Sequence, residues 1–166
     1  MIDGIKLAVD VFPKAISNIE DKDVLKYLKS RCRDFPEEAL NSGFLPAFLF
    51  YLSKSDVCVL IDFLNYLNSN SEIKFDKFSK ENESKQTIAY TIYTALVIYF
   101  LEKTELKDKI GLNDLDKLCP KNDINESAKK LEEILNGLYF NSSIVSILSK
   151  NYLLTLKRLA EAIINV

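Results

Sequence analysis

The side chains best suited to chemistry are the cations between residues 22 and 33. Lys22, Lys26, Lys29 and Arg33 recur at intervals of three and four, so on a helix they fall within one arc of about 60°. The segment has five basic residues and one acidic residue, a local charge of +4 in a chain of net charge −2. Cations spaced about 5 to 6 Å apart per turn match consecutive phosphates of a nucleic-acid strand. Two interpretations stay open: a phosphate-binding stripe, or a solvated lysine face.

Catalytic chemistry is poorly represented. The chain contains no histidine, which removes the commonest general base, imidazole metal ligands and every histidine-based triad. Carboxylate pairs occur at Glu37 with Glu38, Asp114 with Asp116, and Glu132 with Glu133. Each pair is predicted in a first helical turn or on a solvated face, and none belongs to an ExxH arrangement. We therefore predict no enzymatic activity, no metal and no cofactor.

These cations must be positioned by helices. Hydrophobic residues make up 48% of the chain, and it has only four glycines and four prolines, which is typical of long regular elements. We predict an all-α fold, a compact single domain over residues 1–166, with six to eight helices. Apolar periodicity and capping residues predict helices at about 4–19, 23–35, 57–67, 84–105, 113–119 and 124–136, with a last one from Ser142 or Ser143.

Several local features refine this assignment. Pro13 should kink or split the first helix. The segment 68–83 is expected to be a polar loop held down by Phe75 and Phe78. The helix at 84–105 is apolar on most sides and should be the centre of the bundle. Gly137 should end the 124–136 helix, and Lys157 should pair with Glu161 in the last one.

The stretch 31–54 is predicted to be a hinge between two helices. Pro36, followed by Glu37 and Glu38, suits a first helical turn. Gly43 is the expected stop at positive φ, after which Pro46 opens a strongly apolar helix that must be buried. Lys54 should end that helix.

The cysteines and the apolar runs indicate the cellular compartment in which the protein is expected. Cys32, Cys58 and Cys119 are an odd number without a close pair, so we expect buried free thiols and a reducing, cytoplasmic compartment. The N-terminus lacks the features of a signal peptide, and the longest apolar run, 88–101, is too short to span a bilayer.

Two blocks resemble the small helical subunit of the type III-B CRISPR RNA-targeting effector, the Cmr complex. The first block runs from Phe35-Pro36 through Asn41-Ser42-Gly43-Phe44 to Ala47-Phe48-Leu49-Phe50-Tyr51-Leu52-Ser53-Lys54. The second block is Leu156-Lys157-Arg158-Leu159-Ala160-Glu161-Ala162, near the C-terminus. Together they cover about a fifth of the chain. Thr155 stands where the family usually has tryptophan.

The resemblance implies a non-catalytic subunit of an antiviral ribonucleoprotein. Its partners would be the other subunits of the Cmr effector complex, the guide RNA and the target RNA, with possible self-stacking along the complex. Lys54, Lys157 and Arg158 match basic positions of the family. Lys26, Lys29 and Arg33 are added by the helical spacing as candidates for RNA-backbone contact.

A second hypothesis is a helical protein-interaction module without direct nucleic-acid contact. In that case the lysines only solvate the surface. The interface would be an exposed apolar patch near Phe75 and Phe78 or at the termini.

Overall fold

The computed structural model describes residues 2–17, 19–70, 75–79, 83–121 and 123–166. These residues form eight α-helices and no strand, which confirms the predicted all-α class. The helices are α1 (Gly4–Ile16), α2 (Lys22–Ser42), α3 (Phe44–Ser53), α4 (Val57–Asn68), α5 (Lys85–Glu102), α6 (Lys107–Ile110), α7 (Ile124–Phe140) and α8 (Ser142–Ile163). Two 3₁₀ turns, Lys77–Ser79 and Leu115–Leu118, complete the described structure.

The centre of the bundle is α5, as the sequence predicted. Ser84 caps it by accepting a hydrogen bond from the Thr87 N–H (3.1 Å), and every residue from Ile88 to Ile98 is buried. Helices α1, α2, α3, α4 and α8 all pack against it. Full burial of one such apolar side chain stabilises a fold by about 1.5–3 kcal/mol. Because α5 buries many of these side chains at once, the neighbouring helices must pack around it. Tyr93 is fully buried within this core, and Tyr90 is nearly so.

The predicted break at Pro36 is wrong, because α2 continues through it to Ser42. A proline inside a helix loses the bond to the carbonyl four residues earlier, here that of Cys32, at a cost of about 3 kcal/mol. Cys32 and Phe35, on either side of that lost bond, are both fully buried. Their burial offsets the cost, so packing overrides the local signal. Similarly, Pro13 lies inside the single helix α1 and does not divide it.

The rest of the predicted hinge is confirmed. Gly43 adopts φ 96° and ψ 154°, a region essentially restricted to glycine, and its N–H donates to the Ala39 carbonyl (3.0 Å). Pro46 lies in the first turn of α3, where its missing N–H has no helical partner. Phe44, Phe48 and Tyr51 of α3 are buried as expected, but the opposite side of the same helix is exposed.

The loop between α4 and α5 is only partly described, since residues 71–74 and 80–82 lie outside the described residues. Phe75 and Phe78 do hold it down, with ring centroids 5.3 and 5.0 Å from that of Phe63. The predicted helix at 113–119 is instead the 3₁₀ turn Leu115–Leu118. Asp114 precedes it at φ 55°, a left-handed conformation that an α-helical first turn does not use.

The expectation of three free thiols is wrong. Cys58 and Cys119 form a disulfide that joins α4 to the segment after the second 3₁₀ turn, while Cys32 is free and buried. The two half-cystines are 61 residues apart in sequence, so nothing in their spacing indicated the pair. Burial raises the pKa of the Cys32 thiol well above its ordinary value, which keeps it protonated and unreactive.

The disulfide gives a prediction about stability. Opening a cross-linked loop of this size costs about 4 kcal/mol in the chain-entropy model. A reducing agent should therefore lower the Tm of the wild-type chain by several degrees and leave the Tm of a Cys58→Ser/Cys119→Ser variant unchanged. Differential scanning calorimetry with and without reductant measures this. An equal decrease of the Tm in both proteins would contradict the Cys58–Cys119 disulfide.

Gly137 does not end α7, which continues to Phe140. The glycine is instead a point of close approach, because a Cβ there would lie 2.5 Å from the Ile110 Cα and 2.7 Å from the Lys109 carbonyl oxygen. Helix α6 therefore packs directly on the backbone of α7.

This contact predicts whether one substitution, Gly137→Ala, stabilises or destabilises the protein. Gly137→Ala should raise helix propensity by about 1 kcal/mol, yet forcing α6 outward costs about 1–3 kcal/mol. We expect a net loss of stability in urea denaturation, whereas Asn136→Ala, at the exposed neighbouring position, should change little. A Gly137→Ala protein more stable than wild type would show that α6 does not lie this close.

Candidate nucleic-acid interface

Helix α2 positions the basic stripe. Asp21 caps its start by accepting hydrogen bonds from the N–H groups of Asp23 (2.8 Å) and Val24 (3.3 Å). Its buried side, which includes Val24 and Leu28, packs against α5 and α8. Positions 22, 26, 29 and 33 therefore lie on a flank of the helix. Three of them, Lys22, Lys26 and Arg33, are exposed.

Lys29 differs from the rest of the stripe. It is partly buried, and its Nζ donates to the carbonyl oxygen of Ile164 (2.8 Å), the residue that ends α8. A cation there satisfies a terminal carbonyl and lies at the negative end of the helix dipole. Lys29 thus joins α2 to the C-terminal end of α8 while keeping its charge.

Acidic residues partly neutralise the stripe. The Nε of Arg33 donates to Asp34 (2.9 Å), and this bond, with a smaller contribution from the charge of Glu161, raises the pKa of Arg33. Asp23, the acidic residue of the segment 22–33, is itself paired with Lys85 (2.9 Å). Surface pairs of this kind are weak and are screened by salt.

The C-terminal half of α8 lies beside this stripe. Among the ion pairs of the described residues none joins Lys157 to Glu161, so that predicted pair is wrong. Helix α8 packs against α2, and the charge of Glu161 contributes to the raised pKa of Arg33. Lys157, one turn before Glu161, is partly buried, and Arg158 next to it is exposed. We call the surface formed by Lys26, Lys29, Arg33, Lys157 and Arg158 the α2–α8 seam.

Lys54 does not belong to the seam. Its Nζ lies 5.5 Å from the ring centroid of Phe50, and that ring contacts Tyr90. Arg31, on the flank of α2 opposite the stripe, stacks on the same Tyr90 ring at 4.6 Å. The structure therefore places Lys26, Lys29 and Arg33 on α2 and Lys157 and Arg158 on α8, the helix packed against it, and leaves Lys54 on the other side of α2.

Metal-ligating groups and cavities are the other features of the molecule that could support chemistry. Within the described ranges, no three carboxylate or thiol groups converge in a way that could hold a metal ion. A cavity of about 440 Å³ opens between α3, α4 and α7. The carboxylate in its lining is that of Asp56, which already caps α4 by accepting from the Val59 N–H (3.0 Å). The cavity is otherwise mostly apolar.

Sequence reasoning missed the largest exposed apolar surface. Phe75 and Phe78 are packed against the core, whereas Tyr139, Phe140 and Ile147 at the junction of α7 and α8 are strongly exposed. Apolar side chains at the termini are also partly exposed, as expected. The signal in the sequence was the uncharged run from residue 134 to residue 149.

In the part of the chain that is described, no single helix has the length and apolarity to cross a membrane. Helices α3 and α4 have that length and apolarity only when they are taken as a pair, and this pair is bent by 109°.

Fold and surface together define a small all-α protein with basic side chains on α2 and α8 and exposed apolar side chains at the junction of α7 and α8. No family model matches the chain. It is 33% identical over 162 residues to the CRISPR system CMR subunit Cmr5 of Saccharolobus solfataricus, covering 97% of this chain and 93% of that protein. The chain therefore belongs to the Cmr5 family.

Solved structures agree with this assignment. One similar chain is from the type III-B Cmr-beta complex bound to cognate target RNA and AMPPnP (TM-score 0.74, 28% identity, 98% of this chain and 96% of that one). Another is from the Cmr-beta complex bound to non-cognate target RNA (TM-score 0.75, 27% identity, 100% and 99%). The family resemblance seen in the sequence is confirmed over nearly the full length.

The Lys29 contact yields a prediction about stability. Lys29→Ala removes a cation from the C-terminal end of α8 and should lower the free energy of unfolding by about 1 kcal/mol. Lys26→Ala, one turn earlier and exposed, should stay within about 0.5 kcal/mol of wild type. Urea denaturation of the two variants measures the difference, and equal stabilities would show that Lys29 does not anchor α8.

Proposed function

We propose that this chain is a non-catalytic structural subunit of a type III-B Cmr effector, and that its α2–α8 seam contacts RNA backbone without reading sequence. Its partners are the other subunits of the complex, the guide RNA and the target RNA. The similar chains come from a Cmr complex with bound target RNA, which supports this assembly. Base pairing with the guide supplies specificity, because phosphate contacts position a strand but do not read its bases.

RNA contact is supported best by the packing of α2, which carries Lys26, Lys29 and Arg33, against α8, which carries Lys157 and Arg158. Lys29 bonds the Ile164 carbonyl at the end of α8, and the charge of Glu161 on α8 acts on Arg33. Among the described residues, Asp34 pairs with Arg33, while no ion pair there includes any of the other four cations. The seam therefore keeps a positive charge although the chain as a whole has a charge of −2.

Salt-dependent binding tests this proposal. If four phosphates are neutralised, the slope of log K against log salt for a single-stranded RNA should be about −3. Replacing Lys26 and Lys157 with glutamine should reduce it to about −1.5, since each phosphate contributes about 0.7. Lys29 is left unchanged, because it also anchors α8. Fluorescence anisotropy of a labelled mixed-sequence RNA measures the slope.

The matched control removes the same charge elsewhere. Lys117→Gln/Lys129→Gln changes two exposed lysines outside the seam and should leave the slope near −3. A control that weakens binding as much as the seam variant would refute the seam and indicate a diffuse charge effect.

A second candidate function is a protein-interaction module that does not touch RNA. The exposed apolar residues at the junction of α7 and α8 favour it, as does the engagement of Lys29 and Arg33 within the protein. This function predicts no salt-sensitive RNA binding by the wild-type chain, together with full retention of partner subunits.

A further inference from the structure

The junction of α7 and α8 exposes more large apolar side chains together than any other described part of the chain. Tyr139 is 66% exposed, Phe140 80% and Ile147 74%, and Ile144 and Leu148 beside them are also exposed. Only Asn141 separates the two helices, so these side chains lie within about two turns of the junction. We call this surface the α7–α8 corner.

The corner is ordered by the fold. Helix α7 is held by Gly137 against α6, and α8 is anchored by Val145, which is fully buried. Asn141 closes the junction, because its side-chain amide donates to the Gly137 carbonyl (2.8 Å). The Tyr139 and Phe140 rings meet edge to face with centroids 5.4 Å apart. The exposed rings are therefore presented on rigid elements.

The charges around the α7–α8 corner indicate what kind of molecule would bind there. No residue from 134 to 149 is charged, and the neighbouring helix α6 adds Lys107, Asp108 and Lys109, a local charge of only +1. Without cations the corner offers nothing to a phosphate backbone. An uncharged centre with aromatic side chains and a polar rim is typical of protein–protein interfaces.

Area and symmetry argue against a second copy as the occupant. The two rings alone expose roughly 300 Å², about a third of what one partner buries in a standard interface. A contact between identical corners would be isologous and would invert the second molecule relative to the first. Copies that stack in one direction along the complex cannot make such an inverted contact.

We propose that the α7–α8 corner is a docking surface for an uncharged, apolar surface of a different protein subunit of the effector complex. Ile144, Ile147 and Arg158 fall within one arc of about 60° on α8. Residues 147 and 158 are separated by about 16 Å along the axis. One face of α8 thus binds protein at its N-terminal end and reaches the seam at its C-terminal end. This inference rests on membership of the complex and does not require the proposed RNA contacts.

The test uses the complete complex. Ile147→Glu is compared with Ile124→Glu, a matched control because Ile124 is equally exposed (73%) on the first turn of α7. Each variant is co-expressed with the other Cmr subunits and guide RNA, and the complex is purified through a tag on another subunit. Ile147→Glu should reduce retention of the chain at least tenfold, and Ile124→Glu should leave it within twofold of wild type.

Other measurements exclude alternative causes. Thermal denaturation must show that the free variant is folded; if Ile147→Glu is unfolded, Phe140→Ser is tested in the same way. Retention of Ile147→Glu equal to that of Ile124→Glu would overturn the inference. So would sedimentation showing wild-type oligomers that Ile147→Glu dissociates, since the occupant would then be a second copy. Loss of RNA affinity by the free Ile147→Glu chain would reassign the corner to nucleic acid.

Discussion

Burial of α5 on all its sides is the constraint on which the rest of the structure depends. A helix with no polar face is stable in water only when its neighbours cover it completely, and here five helices do so. Because α2 and α8 both belong to this cover and also pack on one another, their outer flanks meet at the surface. The α2–α8 seam is a consequence of how the core is closed.

Packing also explains why local sequence signals were overridden. Pro36 remains inside α2 because Cys32 and Phe35 are buried on both sides of the lost hydrogen bond. Gly137 is needed for the approach of α6, and α7 continues past it. In both cases the residue type indicated a helix boundary, but burial outweighed a local cost of a few kcal/mol.

The surface has two regions of different chemistry. The seam keeps its cations in contact with water, and Lys29 both anchors α8 and contributes charge. The α7–α8 corner has apolar side chains and no charge of its own. An anion bound at the first region would be subject to screening and counterion release, whereas a contact at the second would depend on burial of apolar area.

The sequence alone was enough to predict the all-α class, the central helix and the Gly43 stop, because these depend on periodicity and on the preferences of single residues. It also gave the α2 stripe and, through two short blocks, the family. Three features depended on tertiary structure. They are the disulfide between Cys58 and Cys119, the effect of the Glu161 charge on Arg33, and the separation of Lys54 from the seam. Each of these joins or separates residues far apart in the chain, and such distances are decided only when helices pack around the buried α5.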